Sequence, residues 1–233
     1  MDPLLPVLVV ILAGMFYSLK ARKLTPAGSV TGAGLAGLIF LGTGLTGFVL
    51  MTVFFVLGTA ATGWRRKEKE RLAGIQDSGP RTALQVMANA GIGAILATAT
   101  LVLPDFRHYA VLMLAAAFSS AASDTLSSEL GTVYGRRFFH ILTLRPAIRG
   151  NNGVVSIEGT LWGIAGSVIV AGIYSCMEGW GPDLWRIVLA GTIGNLSDSV
   201  LGASLENKGR IGNDAVNFLN TLIGALAALA LVV

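Results

Sequence analysis

The chain has 233 residues, 53% hydrophobic and 13% charged, with 30 glycines, one cysteine and a formal charge of +4. A soluble domain carries roughly a quarter of its residues as charges, so half that share excludes a water-covered globule, and a mean hydropathy of +0.69 excludes low-complexity disorder. The lone Cys176 excludes an internal disulfide, and the net charge is too small to point to nucleic acid.

The pattern predicts one integral membrane domain over 1–233, an all-α bundle of about eight spans. Residues 4–19 form the first. Lys20, Arg22 and Lys23 follow this run instead of preceding it, so it is an anchor and not a cleaved signal. The apolar stretch 28–63 is interrupted by Gly42, Gly44 and Gly47. It reads as two short helices, 29–41 and 46–63, joined by a tight turn, with a re-entrant hairpin as the competing reading. The G-x-G-x-x-G spelled by residues 42–47 has no strand before it, so a hairpin turn is the better assignment than a nucleotide loop. Trp64 to Arg71 alternates basic and acidic residues as a solvated surface helix does, with phosphate contacts beside the other polar clusters as the alternative role. Further spans are expected at 84–103, 109–126, 154–175, 184–204 and 214–233.

Fifteen of the seventeen basic residues fall in the loops after spans one, three, five and seven, and only Arg107 and Arg186 fall on the other side. The positive-inside rule then places those four loops in the cytoplasm and both termini outside, in a prokaryotic plasma membrane.

Three clusters carry chemistry. Ser123-Asp124-Thr125-Leu126 and Ser197-Asp198-Ser199-Val200 put carboxylates toward the cytoplasmic ends of two spans. A carboxylate facing lipid costs roughly 2.5–3.5 kcal/mol, so such residues face a cavity or a partner. Asp124, Ser127 and Ser128 share a helical face, with Glu129 following. Hard oxygen ligands of this kind suit Mg²⁺; polar glue between helices is the plainer alternative. The loop 145–156 offers Arg145, Arg149, Asn151, Asn152 and Ser156, the last leading into a helix whose free N–H groups attract anions. A basic turn lying on anionic lipid is the alternative. The third cluster, 206–217, contains Lys208, Arg210, Asn213, Asp214 and Asn217. Asp214 at a helix start is also an ordinary cap.

The order of these motifs resembles the integral membrane family catalogued as domain of unknown function 92. The match is carried by Arg22-Lys23-Leu24-Thr25-Pro26-Ala27-Gly28, by Ser123-Asp124-Thr125-Leu126-Ser127-Ser128-Glu129-Leu130-Gly131, by Gly150-Asn151-Asn152-Gly153-Val154-Val155-Ser156 with Gly159-Thr160, and by Asp198-Ser199-Val200-Leu201-Gly202-Ala203 with Asn213-Asp214-Ala215-Val216-Asn217. The family's central loop usually reads Gly-Thr-Asn-Gly-Gly, where this chain has Asn151 and Val154. The family includes a phytyl-phosphate kinase of chloroplasts and animal transmembrane protein 19. The resemblance therefore implies a membrane kinase that uses a nucleoside triphosphate, CTP favoured, to convert an isoprenyl monophosphate such as phytyl or geranylgeranyl phosphate to the diphosphate.

Resemblance and residue chemistry together give Asp124, Glu129, Asp198 and Asp214 as catalytic carboxylates, with Asp124, Glu129 and Asp198 on Mg²⁺. Ser127, Ser128, Arg145, Arg149, Asn151, Asn152, Ser156, Lys208, Arg210, Asn213 and Asn217 are the expected binding groups for substrate and nucleotide. A transporter or lipid flippase is the rival, but its site belongs near the bilayer midplane.

Overall fold

The computed structural model describes residues 3–73 and 79–232, so residues 74–78 of the loop expected at 64–81 and Val233 of the last span lie outside the described residues. The described helices are α1 (Leu4–Lys20), α2 (Pro26–Gly63), α3 (Arg66–Ala73), α4 (Ala83–Val102), α5 (Arg107–Tyr134), α6 (Ile157–Glu178), α7 (Asp183–Leu201) and α8 (Asn213–Ala230). Two three-residue strands, β1 (Phe138–His140) and β2 (Val154–Ser156), pair antiparallel between α5 and α6. Among the described residues, four helical segments are long and apolar enough to cross a membrane: Pro26–Gly63, Ala83–Val102, Pro104–Tyr134 and Ile157–Glu178. The shorter α1 is apolar too. Leu5, Val30, Leu41, Ile95 and Leu161 are exposed on the outside of the bundle, as lipid contact requires.

The glycine-rich stretch folds back on itself. Thr25 caps α2 by accepting from Gly28 N at 3.0 Å, and Pro26 takes the first helical position. At Gly44 the backbone turns to φ 71° and ψ −155°, where a side chain would be strained. Both halves of α2 end beside the same residue: a Cβ on Gly28 would sit 2.7 Å from Arg81 O, and one on Gly58 3.4 Å from the Arg81 guanidinium. At the turn, Thr100 donates to Gly42 O at 2.6 Å, and Phe40 and Phe48 meet edge-on at 6.3 Å. The first half runs from Pro26 to Thr43, longer than the expected 29–41. At 1.5 Å per residue it reaches about 27 Å, close to the hydrocarbon thickness.

Other boundaries depart from expectation for local reasons. The span expected to end at 126 continues to Tyr134, so Asp124 lies within a helix and not near its end. Residues 154–156, expected as the start of a span, are strand β2, because Ser156 caps α6 by accepting from Gly159 N at 3.0 Å. Past Leu201 the expected 184–204 span loosens into a π-turn over Gly202–Glu206.

α5 is the axis around which α2, α4, α6, α7 and α8 pack. Its residues from Ala110 to Ser123 are all buried. Such burial of a helix requires neighbours that approach closely, and glycines supply the approach. A Cβ on Gly194 of α7 would meet Ser120 Cβ at 2.8 Å and Asn220 O at 3.0 Å; one on Gly224 of α8 would meet Ser120 Cβ at 2.8 Å and Ala116 O at 3.1 Å. On α6, Gly163 and Gly166 face Ser123 and Ala122 in the same way. Hydrogen bonds cross these contacts: Ser120 Oγ donates to Asn220 Oδ1, and Ser119 Oγ to Ile187 O at 3.2 Å.

The loops after α1, α3, α5 and α7 meet at one end of the bundle. Arg81 N donates to Lys23 O at 3.0 Å, Gly150 packs on Ala73, and Asn207 Nδ2 donates to Asn152 O at 3.2 Å. Arg107 and Arg186 lie at the other end, on Thr43 O and Leu231 O. The one-sided charge distribution of the sequence is thus a property of the fold.

Gly194→Ala is expected to destabilise the detergent-solubilised protein by about 1–3 kcal/mol through overpacking. Gly37→Ala, where an added Cβ meets nothing within 4 Å, should be neutral in the same thermal unfolding measurement. Equal midpoints for the two variants would contradict the packing described.

Candidate active site at the basic end of the bundle

A cavity of about 420 Å³ opens at this end between α2, α3, α4, α5, α7, α8 and the loop before β2. α5 contributes Asp124, Ser127, Ser128, Glu129 and Thr132, brought to one side by the helical repeat. α7 and its π-turn add Asn195, Asp198, Ser199 and Glu206, and the start of α8 adds Asn213 and Asn217.

The loop Gly150-Asn151-Asn152-Gly153 forms the rim by docking on the π-turn. Gly153 has φ 75°, and a Cβ there would lie 2.8 Å from Ala203 Cα, so only glycine permits the contact. The Asn152 side chain lies beside the Glu206 carboxyl. Asp198 accepts from Asn220 Nδ2 at 3.3 Å, which ties the site to the Ser120–Asn220 contact in the core. Asp124 has no hydrogen-bond or ion-pair partner among the described residues, and it feels the negative charge of Asp198, Glu129 and Glu206.

The surface helix α3 covers the cavity, and it differs from the fully solvated helix expected. Lys69 is only 7% exposed. Its amine donates to Ala61 O at 3.0 Å, to Thr62 O at 2.8 Å and to Glu129. It thereby satisfies carbonyls at the end of α2 and neutralises a carboxylate in one place. Arg66 pairs with Glu70 at 3.0 Å. Arg81 reaches in from the other side and donates to Thr62 Oγ1 at 3.1 Å; burial pulls its guanidinium below the ordinary arginine range, and the charge of Glu129 opposes that shift.

The expected residues divide accordingly. Asp124, Ser127, Ser128, Glu129, Asn151, Asn152, Ser156, Asp198, Asn213 and Asn217 all line this one cavity. Ser156 does so with its hydroxyl already committed to the α6 cap, and Glu129 with its carboxylate on Lys69. Arg145, Arg149, Lys208, Arg210 and Asp214 do not line it. Arg149 instead donates to Gly135 O at 2.8 Å and stacks 4.6 Å over Phe138, bracing the β1–β2 loop, while Arg145, Lys208 and Arg210 are exposed. Asp214 lies in the first turn of α8, past the N-cap Gly212.

Arg81, Gln85, Asn89 and Asn195 are lining residues that the motifs do not single out, while Lys69 comes from the charged run 64–71 and Glu206 from the start of the third cluster. A signal existed for Arg81: it directly precedes the Thr82–Gln85 capping box that opens α4, so it sits where the chain enters the membrane. Asn195 stands inside an apolar span and is buried, and buried polarity at that depth is itself the informative feature.

The donor set suits a divalent cation in one respect. After the pairs Lys69–Glu129 and Arg66–Glu70, the lining carboxylates Asp124, Asp198 and Glu206 face Arg81 alone, leaving the cavity net negative. No three of the described His, Cys, Asp or Glu side chains converge as a complete metal set, so further ligands would have to arrive with a substrate.

Burial holds the Glu206 carboxyl above its ordinary range, with the neighbouring Asn152 side chain opposing. The folded state therefore retains a proton that the unfolded chain releases, and stability is lost as pH rises past the ordinary value of 4.5. Without added divalent cation, Glu206→Gln should raise the thermal midpoint at neutral pH and leave it unchanged well below 4.5. A lower midpoint at neutral pH would contradict this.

The sequence model for "Integral membrane protein DUF92" matches residues 8–225. An uncharacterized membrane protein of Synechocystis sp. is 36% identical over 220 residues, covering 90% of this chain and 83% of that protein. The chloroplastic protein VTE6 of Arabidopsis thaliana is 32% identical over 216 residues, covering 86% of this chain and 64% of its own length. An uncharacterized membrane protein of Methanocaldococcus jannaschii is 32% identical over 214 residues, 89% of this chain and 85% of that protein. No solved structure matches. The chain belongs to the DUF92 family of integral membrane proteins.

Proposed function

We propose that this protein is a membrane kinase that transfers the γ-phosphoryl group of a nucleoside triphosphate, CTP in the favoured case, to an isoprenyl monophosphate. The carrying observation is the net-negative cavity at the basic end of an apolar bundle, with Asp124 and Asp198 in no ion pair among the described residues and amides of Asn151, Asn152, Asn213 and Asn217 around them. A prenyl tail is soluble only in the bilayer, whereas its phosphate and the nucleotide need a polar site at the surface. Membership in a family that the sequence resemblance connects with a chloroplast phytyl-phosphate kinase supports the same reading, as does kinship with a chloroplastic plant protein.

On this reading α1, both halves of α2, α4, α5, α6, α7 and α8 each cross the membrane, giving eight spans with both termini outside. The basic end then faces the cytoplasm of a prokaryotic cell. A transporter site would lie nearer mid-bilayer; this cavity lies at one end.

Phosphoryl transfer needs positioning and charge neutralisation more than covalent help from the protein. Asp124 and Asp198 would hold Mg²⁺, which supplies neutralisation of charge on both phosphates. The amides of Asn151, Asn152, Asn213 and Asn217 donate to phosphate oxygens and fix the line of attack. An oxygen of the acceptor phosphate attacks the γ-phosphorus, the bond to the β-bridging oxygen breaks, and the nucleoside diphosphate leaves. α3 and the 150–153 loop, standing over the cavity, keep water from competing as acceptor.

Purified protein with Mg²⁺, CTP and phytyl or geranylgeranyl phosphate should yield the prenyl diphosphate and CDP. EDTA should abolish turnover. Asp124→Asn and Asp198→Asn should each cut it by about two orders of magnitude, near 3 kcal/mol of barrier. The free alcohol should be a poor substrate, since it leaves the phosphate-binding groups unpaired. If a panel of prenyl monophosphates with all four nucleotides gives no diphosphate, while reconstituted vesicles move a lipid or solute, the transporter reading replaces this one.

A further inference from the structure

Resting on the kinase reading, the identity of the cation that grips phosphate can be carried further. Three basic side chains line the cavity: Arg66, Lys69 and Arg81. An ammonium has three N–H donors, and all three of Lys69 are engaged, on Ala61 O, Thr62 O and Glu129. Arg66 places its Nε on Glu70 at the exposed edge, where a pairing of this kind contributes little. Arg81 differs from both. A guanidinium has five donors, and among the described residues the side chain of Arg81 makes a single hydrogen bond, to the neutral hydroxyl of Thr62 at 3.1 Å. No carboxylate lies within ion-pair distance of it among the described residues.

Its placement is built into the backbone. Arg81 N donates to Lys23 O and Arg81 O accepts from Thr25 N, both at 3.0 Å, so the residue is clamped between the α1–α2 turn and the start of α4. Gly58 leaves the guanidinium its space: a Cβ there would touch the two terminal nitrogens at 3.4 and 3.6 Å and the Thr125 methyl at 3.8 Å. The fork therefore lies between α2 and α5, beside the residue that follows Asp124. A desolvated cation normally has a carboxylate fixed against it, because an unpaired one is costly. Here the carboxylate that attracts it, Glu129, is already held by Lys69.

We propose that Arg81 is the phosphate-gripping side chain of this site, its free N–H groups donating to the oxygens of a phosphate or diphosphate bound next to Asp124. The lining groups then divide the work: Asp124, Asp198 and Glu206 attract the cation, and Arg81 takes the anion that the cation accompanies. The Arg145–Arg149 segment, the more basic stretch by sequence, only braces the rim.

The test measures binding of inorganic pyrophosphate, with Mg²⁺ present, to the full chain in detergent by calorimetry. Because backbone bonds hold residue 81 in place, Arg81→Gln should fold, as a thermal midpoint near that of the wild type would show. It should bind pyrophosphate about tenfold to a hundredfold more weakly, the usual range for a charge-assisted contact. Arg81→Lys, which keeps the charge without the fork, should fall between, and Lys208→Gln, at an exposed base outside the cavity, should bind as the wild type does. Unchanged affinity in Arg81→Gln, or no pyrophosphate binding by the wild type, overturns the proposal. Arg81-dependent binding in a protein that phosphorylates no prenyl phosphate would uphold the anion site and remove the kinase reading.

Discussion

Everything at the basic end depends on how closely α5 is gripped by its neighbours. Ser120 sits in a notch formed by Gly194 of α7 and Gly224 of α8, and its hydroxyl is bound to Asn220. In a bilayer the hydrophobic effect does not drive helices together, so close backbone approach and interhelical hydrogen bonds must do so, each contributing on the order of 1 kcal/mol. The run of Ala and Ser along α5 is the matching surface. Larger side chains there would hold α6, α7 and α8 apart, and the lining residues of the cavity would no longer share one volume.

The same contact reaches the chemistry. Asn220 accepts from Ser120 in the core and donates to Asp198 at 3.3 Å. The carboxylate of α7 is thus oriented by α8, against a helix that itself presents Asp124. A second tether, Lys69 to Glu129, fixes α3 over the opening. Among the described residues the Asp124 side chain is left without a hydrogen-bond or ion-pair partner between these two tethers. A partnerless carboxylate in such a place destabilises the fold, and that cost is intelligible where a ligand cation completes the set.

Much of this was legible in the sequence because periodicity and charge report on backbone and side. The interrupted glycine stretch announced a helical hairpin, and Gly44 provides its turn. The fifteen basic residues announced which end is polar. Asp124, Asp198 and Asn217 are marked because polar groups inside apolar spans need a reason, Asn152 because it lies in the Arg- and Asn-rich loop 145–156, and all four come to line one cavity. Side-chain direction in loops was not legible. Arg149 and Lys69 look alike in sequence, each a base in a polar connector, yet one lies over Phe138 outside the cavity and the other is buried within it. The difference is made by long-range partners, Glu129 above all, that no local pattern encodes. The strand pair β1–β2 was missed for a related reason: three residues are too few to show a period.

The most direct test is of the cation itself. Mn²⁺ can replace Mg²⁺ as a paramagnetic probe, and its free signal disappears on binding. Saturable Mn²⁺ binding by the wild-type protein with geranylgeranyl phosphate present, weakened at least tenfold in both Asp124→Asn and Asp198→Asn, is the expected result. Affinity unchanged in both variants would contradict the assignment of these two carboxylates as the centre of the site.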